Sequence, residues 1–167
     1  DSHFVLLGEA SHGTHEYYTW RTHITKRLIA EKNFSFIAVE GDWPDCYRLN
    51  RYIKGYAGAG NSAREVLHAC NRGPTGMWAN WEIVELAEWL HAHNKNFSAG
   101  KRVGFYGLDV YSLWESMEFI VNYLKVKDPK TLHVAEKVLQ CFEPYSSDEG
   151  QSCARANHDF NASFREE

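Results

Sequence analysis

The groups able to move protons crowd near the start of this chain, in Glu9-Ala-Ser-His12-Gly-Thr-His15-Glu16. A carboxylate three residues from an imidazole can orient the ring. Such a pair is the usual way to make a general base near neutral pH. Glu9 and His12 have this spacing, and Gly13 lets the backbone turn sharply into the next element. The plainer alternative for His12 is a loop histidine facing solvent. His15 falls in the first turn of an expected helix, as a candidate substrate contact or a residue pointing to water. The order His-x-x-His-Glu is neither the zinc-protease pattern nor its inverse, and Ser11 lacks the G-x-S-x-G turn of a serine nucleophile.

Two more acids stand where elements should end. Apolar runs at residues 4–8, 36–39 and 102–107 read as strands buried on both faces, and Glu9, Glu40 and Asp109 follow them. In an open parallel sheet, ligands bind outside the carboxyl ends of the strands. The three acids are therefore expected to converge on one crevice, although a single acid after a strand can simply cap a helix or meet water. Arg21 lies at helical spacing from Tyr17, Ile24 and Leu28. On that reading it faces inward, where a guanidinium must be paired, and its lean toward the helix N-terminus aims it at Glu9 and Glu40. It can hold the carboxylates or stabilise a developing oxyanion.

Aromatic residues reach 14 %, with six tryptophans. Trp43 and Trp78 sit beside turns near the expected crevice and are candidates to line it for a bulky, partly apolar ligand. Trp81, Trp89 and Trp114 are expected in the core.

The elements that must position these groups alternate. Helices are expected over residues 14–32, from Pro44 to 56, from the Ser62/Glu65 capping box to 70, over 77–93, from Ser112 onward, and from Asp128-Pro129 to 141. A turn cluster falls at residues 72–76. Strands separated by helices give an α/β fold with a parallel or mixed sheet flanked by helices. A three-stranded sheet is thin, the chain starts abruptly, and residues 146–167 are aperiodic. We therefore expect a catalytic part over 1–145, then an irregular connection, with the fold incomplete at both ends.

Composition sets outer bounds. The 167 residues suit one domain, and a net charge of −4 offers no footprint for nucleic acid or anionic lipid. No apolar run is long enough to span a bilayer, and no secretory leader is visible. The four cysteines are scattered without a C-x-x-C pair, as expected of reduced thiols in a cytoplasmic protein. No phosphate loop or dinucleotide fingerprint is present, and no cofactor is called for.

Four blocks together resemble the erythromycin esterase family. They are Leu7-Gly-Glu-Ala-Ser-His-Gly-Thr-His-Glu-Tyr-Tyr18 with Arg21; Ala38-Val-Glu-Gly-Asp-Trp-Pro-Asp45; Gly76-Met-Trp-Ala-Asn-Trp-Glu82 through His93-Asn94; and Val103-Gly-Phe-Tyr-Gly-Leu-Asp-Val-Tyr-Ser112. The resemblance implies a metal-independent hydrolase that opens a macrolide lactone ring, an antibiotic-resistance activity on a small-molecule ester. It places the family's site residues on Glu9, His12, Arg21 and Glu40. His12 would take a proton from water, Glu9 or Glu40 would orient the imidazole or the water, and Arg21 would hold the carboxylates or the oxyanion. Family members are two or three times longer, and a second active-site histidine lies beyond Glu167. Neither His133 nor His158 matches it, so this piece is expected to be inactive alone. Two alternatives are a metal-dependent hydrolase using Glu9, His12, His15, Glu40 and Asp109, and a haem or small-ligand binding module of related fold. The sequence leaves the oligomeric state open.

Overall fold

The computed structural model describes residues 2–69, 75–109 and 111–142. The expected connection at 146–167, His158 and most of the 72–76 turn cluster lie outside the described residues. The chain divides into two compact units, Asp1–Tyr111 and Ser112–Glu167.

The first unit carries α1 (His15–Lys32), β1 (Phe36–Asp42), α2 (Trp43–Ile53), α3 (Ala63–His68), α4 (Thr75–Trp78), α5 (Trp81–Asn94), a short 3-10 turn (Ala99–Lys101) and β2 (Gly104–Asp109). β1 and β2 pair in parallel, so the fold is α/β with a small parallel sheet flanked by helices. The register runs from Phe36 opposite Gly104 to Val39 opposite Gly107. It then slips, because Glu40 and Gly41 together face Leu108 before Asp42 meets Asp109. This bulge carries β1 past the point where the sequence alone ends it. Gly107 is required beside it, since a Cβ there would run into the Gly41 carbonyl oxygen.

The expected first strand is a correction. Residues 4–8 make no ladder, and the sheet of the described residues has two strands. Phe4 and Leu6 stand 77 % and 94 % exposed. An apolar run predicts extended chain, but a strand also needs a neighbour to accept its backbone hydrogen bonds.

The core lies between α2, α5 and the sheet, where Leu49, Ile53, Leu90 and Phe105 are fully buried. Burying each such side chain is worth about 1.5–3 kcal/mol. Asn94 ties three of these elements together from inside. Its Nδ2 donates to the carbonyls of Ile53 (2.9 Å) and Val103 (3.0 Å), and its Oδ1 accepts from Val103 N–H (2.8 Å).

Two helices differ from expectation. On α1 the buried stripe is Tyr18, Thr22 and Ile29, one residue round from the one anticipated, and Tyr17, Trp20 and Ile24 face solvent. Apolar residues surround this helix on all sides, so spacing alone does not fix its phase. The expected helix over 77–93 is broken, because Asn80 ends α4 and caps α5. Its Nδ2 donates to Met77 O (3.0 Å) and its Oδ1 accepts from Ile83 N–H (3.0 Å). Trp81 is thereby turned out of the core, 67 % exposed, with the Arg64 guanidinium over its ring. Ser62 caps α3 as its type predicts, accepting from Glu65 N–H at 3.2 Å.

In the second unit α6 (Leu113–Lys127) and α7 (Leu132–Phe142) pack on each other, with the Trp114 ring edge-on to Phe142. No helix of the described residues is long and apolar enough to cross a membrane.

Candidate active site

The loop between residues 8 and 14 has Gly13 in the left-handed region at φ 79°. That turn brings His12 back over Glu9, and Nδ1 of the ring lies 2.7 Å from Glu9 Oε1. The Glu9 side chain is 5 % exposed, whereas that of His12 is 59 % exposed. A buried carboxylate therefore holds an imidazole at the surface of a cavity, the arrangement the spacing suggested.

Arg21 arrives from the second turn of α1. Its Nη2 lies 3.0 Å from Glu9 Oε2, at contact distance but without the alignment of a hydrogen bond. The guanidinium is held by aromatic faces as well, 4.5 Å from the Tyr18 ring centroid and 5.4 Å from that of Trp78. Trp78 is fixed in turn, because its indole N–H donates to the Glu40 carbonyl at 2.6 Å. Tyr18, which no spacing rule singles out, is fully buried, and its hydroxyl donates to Glu9 Oε1 at 3.2 Å. One glutamate thus gathers an imidazole, a phenol and a guanidinium.

Glu9, His12, Arg21, Glu40 and Trp78 all line one cavity of about 860 Å3. Its remaining wall is largely apolar, with Leu28 and Ile29 from α1, Ile37 and Val39 from β1, and residues of the 2–8 segment. His15, Trp43 and Asp109 do not line it. His15 is engaged elsewhere, with Nδ1 bonded to the Glu82 carboxylate and Nε2 3.4 Å from the Thr19 hydroxyl. Glu82 is 67 residues distant in sequence, which is why no local pattern announces it. Together with the Lys26–Glu85 ion pair (2.5 Å) this contact fastens α1 to α5. Trp43 packs on Tyr47 at 4.7 Å between centroids with the rings tilted by 36°, and is half exposed. Asp109 pairs with Asp42 across the sheet, and burial and then the charges of Asp109, Glu40 and Asp42 push the Tyr111 hydroxyl above its ordinary value.

No three histidine, cysteine or carboxylate side chains of the described residues converge as metal ligands do. The cluster proposed for a metal is dispersed, with Glu9 engaged by His12, Tyr18 and Arg21 and His15 engaged by Glu82.

Fold and site together define a small α/β unit with a carboxylate-held histidine at a largely apolar cavity. The chain belongs to the erythromycin esterase family, whose profile matches residues 29–167. Glu40 and Asp109 fall within that match, and Glu9, His12 and Arg21 precede it. Among curated proteins it is similar to erythromycin esterase type II of Escherichia coli, 24 % identical over 140 residues that cover 81 % of this chain and 31 % of the relative. Among solved structures it is similar to a succinoglycan biosynthesis protein (29 % identity, TM-score 0.59, 86 % of this chain and 34 % of the other). A Bacillus cereus protein gives 26 % identity and a TM-score of 0.58, covering 81 % of this chain and 31 % of its own. The chain spans about a third of the length of these relatives.

Proposed function

We propose that this chain carries part of the active site of an ester hydrolase in which His12 activates water. The observation that supports this reading is the 2.7 Å contact of His12 Nδ1 with a buried Glu9 carboxylate, on a ring that lines the cavity. Glu9 keeps the Nδ1 proton in place and stabilises the imidazolium as Nε2 accepts a proton from water. The hydroxide so formed adds to the ester carbonyl. When the tetrahedral intermediate collapses, the C–O bond breaks and the imidazolium returns its proton to the departing alkoxide, leaving acid and alcohol. Arg21 neutralises Glu9 and lends positive charge to the oxyanion from the same cavity. Glu40 borders the water's approach.

The apolar wall favours a bulky ester. The name of the Escherichia coli relative makes a macrolide lactone the first substrate to try. Trp43 and Asp109 lie outside this cavity, and they are proposed as contacts for the substrate's outer parts, Trp43 through its half-exposed ring. His15 would act through the helix it anchors. A second histidine from outside this sequence would complete the site, so the 167 residues alone are expected to be inactive. No metal or organic cofactor enters the scheme, and a cytoplasmic location is part of the proposal.

The test is His12→Asn in the product of the complete reading frame, followed as the gain of one water by the macrolide in mass spectrometry. Hydrolysis should fall by about 10²–10⁴-fold, with the circular dichroism spectrum unchanged. Retained hydrolysis would remove His12 from the role of base.

A further inference from the structure

We propose that Tyr18 is a positioning residue for His12, acting through the Glu9 carboxylate and the loop that carries both. The inference rests on the reading of His12 as the base. Four contacts meet at this one side chain. Its hydroxyl donates to Glu9 Oε1 at 3.2 Å, the same oxygen that His12 Nδ1 approaches at 2.7 Å. The hydroxyl also accepts the Gly13 N–H at 3.4 Å. Its ring lies beneath the Arg21 guanidinium and edge-on to Trp78 at 6.3 Å between centroids.

The consequence is geometric. Residues 9–13 form a tight loop whose tip is exposed, and Gly13 sits in a conformation with wide backbone freedom. The loop's own side chains meet where the Ser11 and Thr14 hydroxyls lie 2.7 Å apart. Tyr18 adds a clasp from a rigid helix, taking the carboxylate at one end of the loop and the Gly13 amide at the other. A carboxylate held on both oxygens cannot rotate away from the imidazole, so Nδ1–H stays directed at Glu9 and, in the neutral ring, Nε2 is the nitrogen left without a proton. Burial pushes the Tyr18 hydroxyl above its ordinary value, so it remains a donor throughout the neutral range. A tyrosine serving only as core would need its ring and not its oxygen. Deleting the oxygen alone therefore separates the two roles.

The experiment is Tyr18→Phe, read first by nitrogen-15 NMR of the His12 ring in the 167-residue chain and then by kinetics of the complete protein. In the unsubstituted chain the Nδ1–H tautomer should predominate. Tyr18→Phe should shift His12 toward the Nε2–H form while the backbone amide spectrum elsewhere is preserved. It should also lower kcat by about 10- to 100-fold, as expected of a misplaced catalytic group, with KM little changed. Glu9→Gln should shift the tautomer in the same sense. An unchanged tautomer in Tyr18→Phe beside a shifted one in Glu9→Gln overturns the role of Tyr18 and leaves the base intact. An Nε2–H tautomer in the unsubstituted chain overturns it without any variant. Absence of ester hydrolysis in the complete protein, with the tautomer shifts observed, strikes the proposed activity instead.

Discussion

Arg21 and Glu9 offer a test of the site that needs no substrate. The Glu9 carboxylate is 5 % exposed and the Arg21 side chain 18 %. Replacing Arg21 by methionine keeps much of the apolar stem and removes the charge. Glu9 then retains His12 and Tyr18 on Oε1, but Oε2 is left enclosed without a cation. Breaking a fully buried pair from one side costs about 3–5 kcal/mol. The two donors left on Oε1 and the partial exposure of Arg21 lower that to about 2 kcal/mol. Loss of the guanidinium from the Tyr18 and Trp78 faces adds about 0.5–1 kcal/mol. Arg21→Met should thus destabilise by about 3 kcal/mol, or about 6–12 °C in Tm for a chain of this size. In a double-mutant cycle with Glu9→Gln, the uncharged amide no longer needs the cation. The double variant should then be more stable than the sum of the singles by at least about 1.5 kcal/mol. Urea denaturation of the four proteins measures this directly. A coupling below about 0.5 kcal/mol would mean that Arg21 and Glu9 do not depend on one another, and the charge argument for the site would fail.

The other expectations concern the scaffold. Asn94→Ala removes three hydrogen bonds and strands the buried carbonyls of Ile53 and Val103 and the Val103 amide. It should cost about 3–5 kcal/mol, seen as an early urea midpoint, and a loss under 1 kcal/mol would contradict it. Tyr52 donates to Glu88 at 2.8 Å, and burial followed by that carboxylate pushes its hydroxyl up to about 12. The folded state therefore holds this proton longer than the unfolded chain. Its contribution is complete below pH 10 and fades as pH rises toward 12. The stability difference between the natural protein and Tyr52→Phe, followed by urea titration, should shrink across that window, by no more than about 3 kcal/mol. A difference that grows with pH would reverse the assignment.

Local signals in the sequence were reliable where a residue's own chemistry decides the outcome. Ser62 announces a helix start because its hydroxyl satisfies a nearby amide, and Glu9 with His12 is legible because three residues of loop bring the two together. What depends on distant partners was hidden. Residues 4–8 have the composition of a strand and make no ladder among the described residues. The buried stripe of α1 lies one residue round from the spacing of Tyr17, Ile24 and Leu28, because the helix's aromatic residues do not mark a single side, and it is Tyr18 that is buried rather than Tyr17. Asn80 breaks the helix expected over 77–93 by a property of its own type, since asparagine caps helices. Glu82 meets His15 across 67 residues, a separation that no spacing rule spans.

The bulge where the Gly41 carbonyl lies against Gly107 bears on how this part of the sequence can drift. A Cβ on Gly107 would strike backbone, and one on Gly41 would lie 3.1 Å from both Cys46 Sγ and the Trp78 indole nitrogen. Trp78 is the residue whose ring lies against the Arg21 guanidinium and whose indole N–H donates to the Glu40 carbonyl. Substitution at either glycine would therefore be felt in the cavity as well as in the sheet. In a library of single substitutions, these two positions should form an island of intolerance contiguous with Glu9, Tyr18 and Arg21, although neither glycine carries any group that could take part in a reaction.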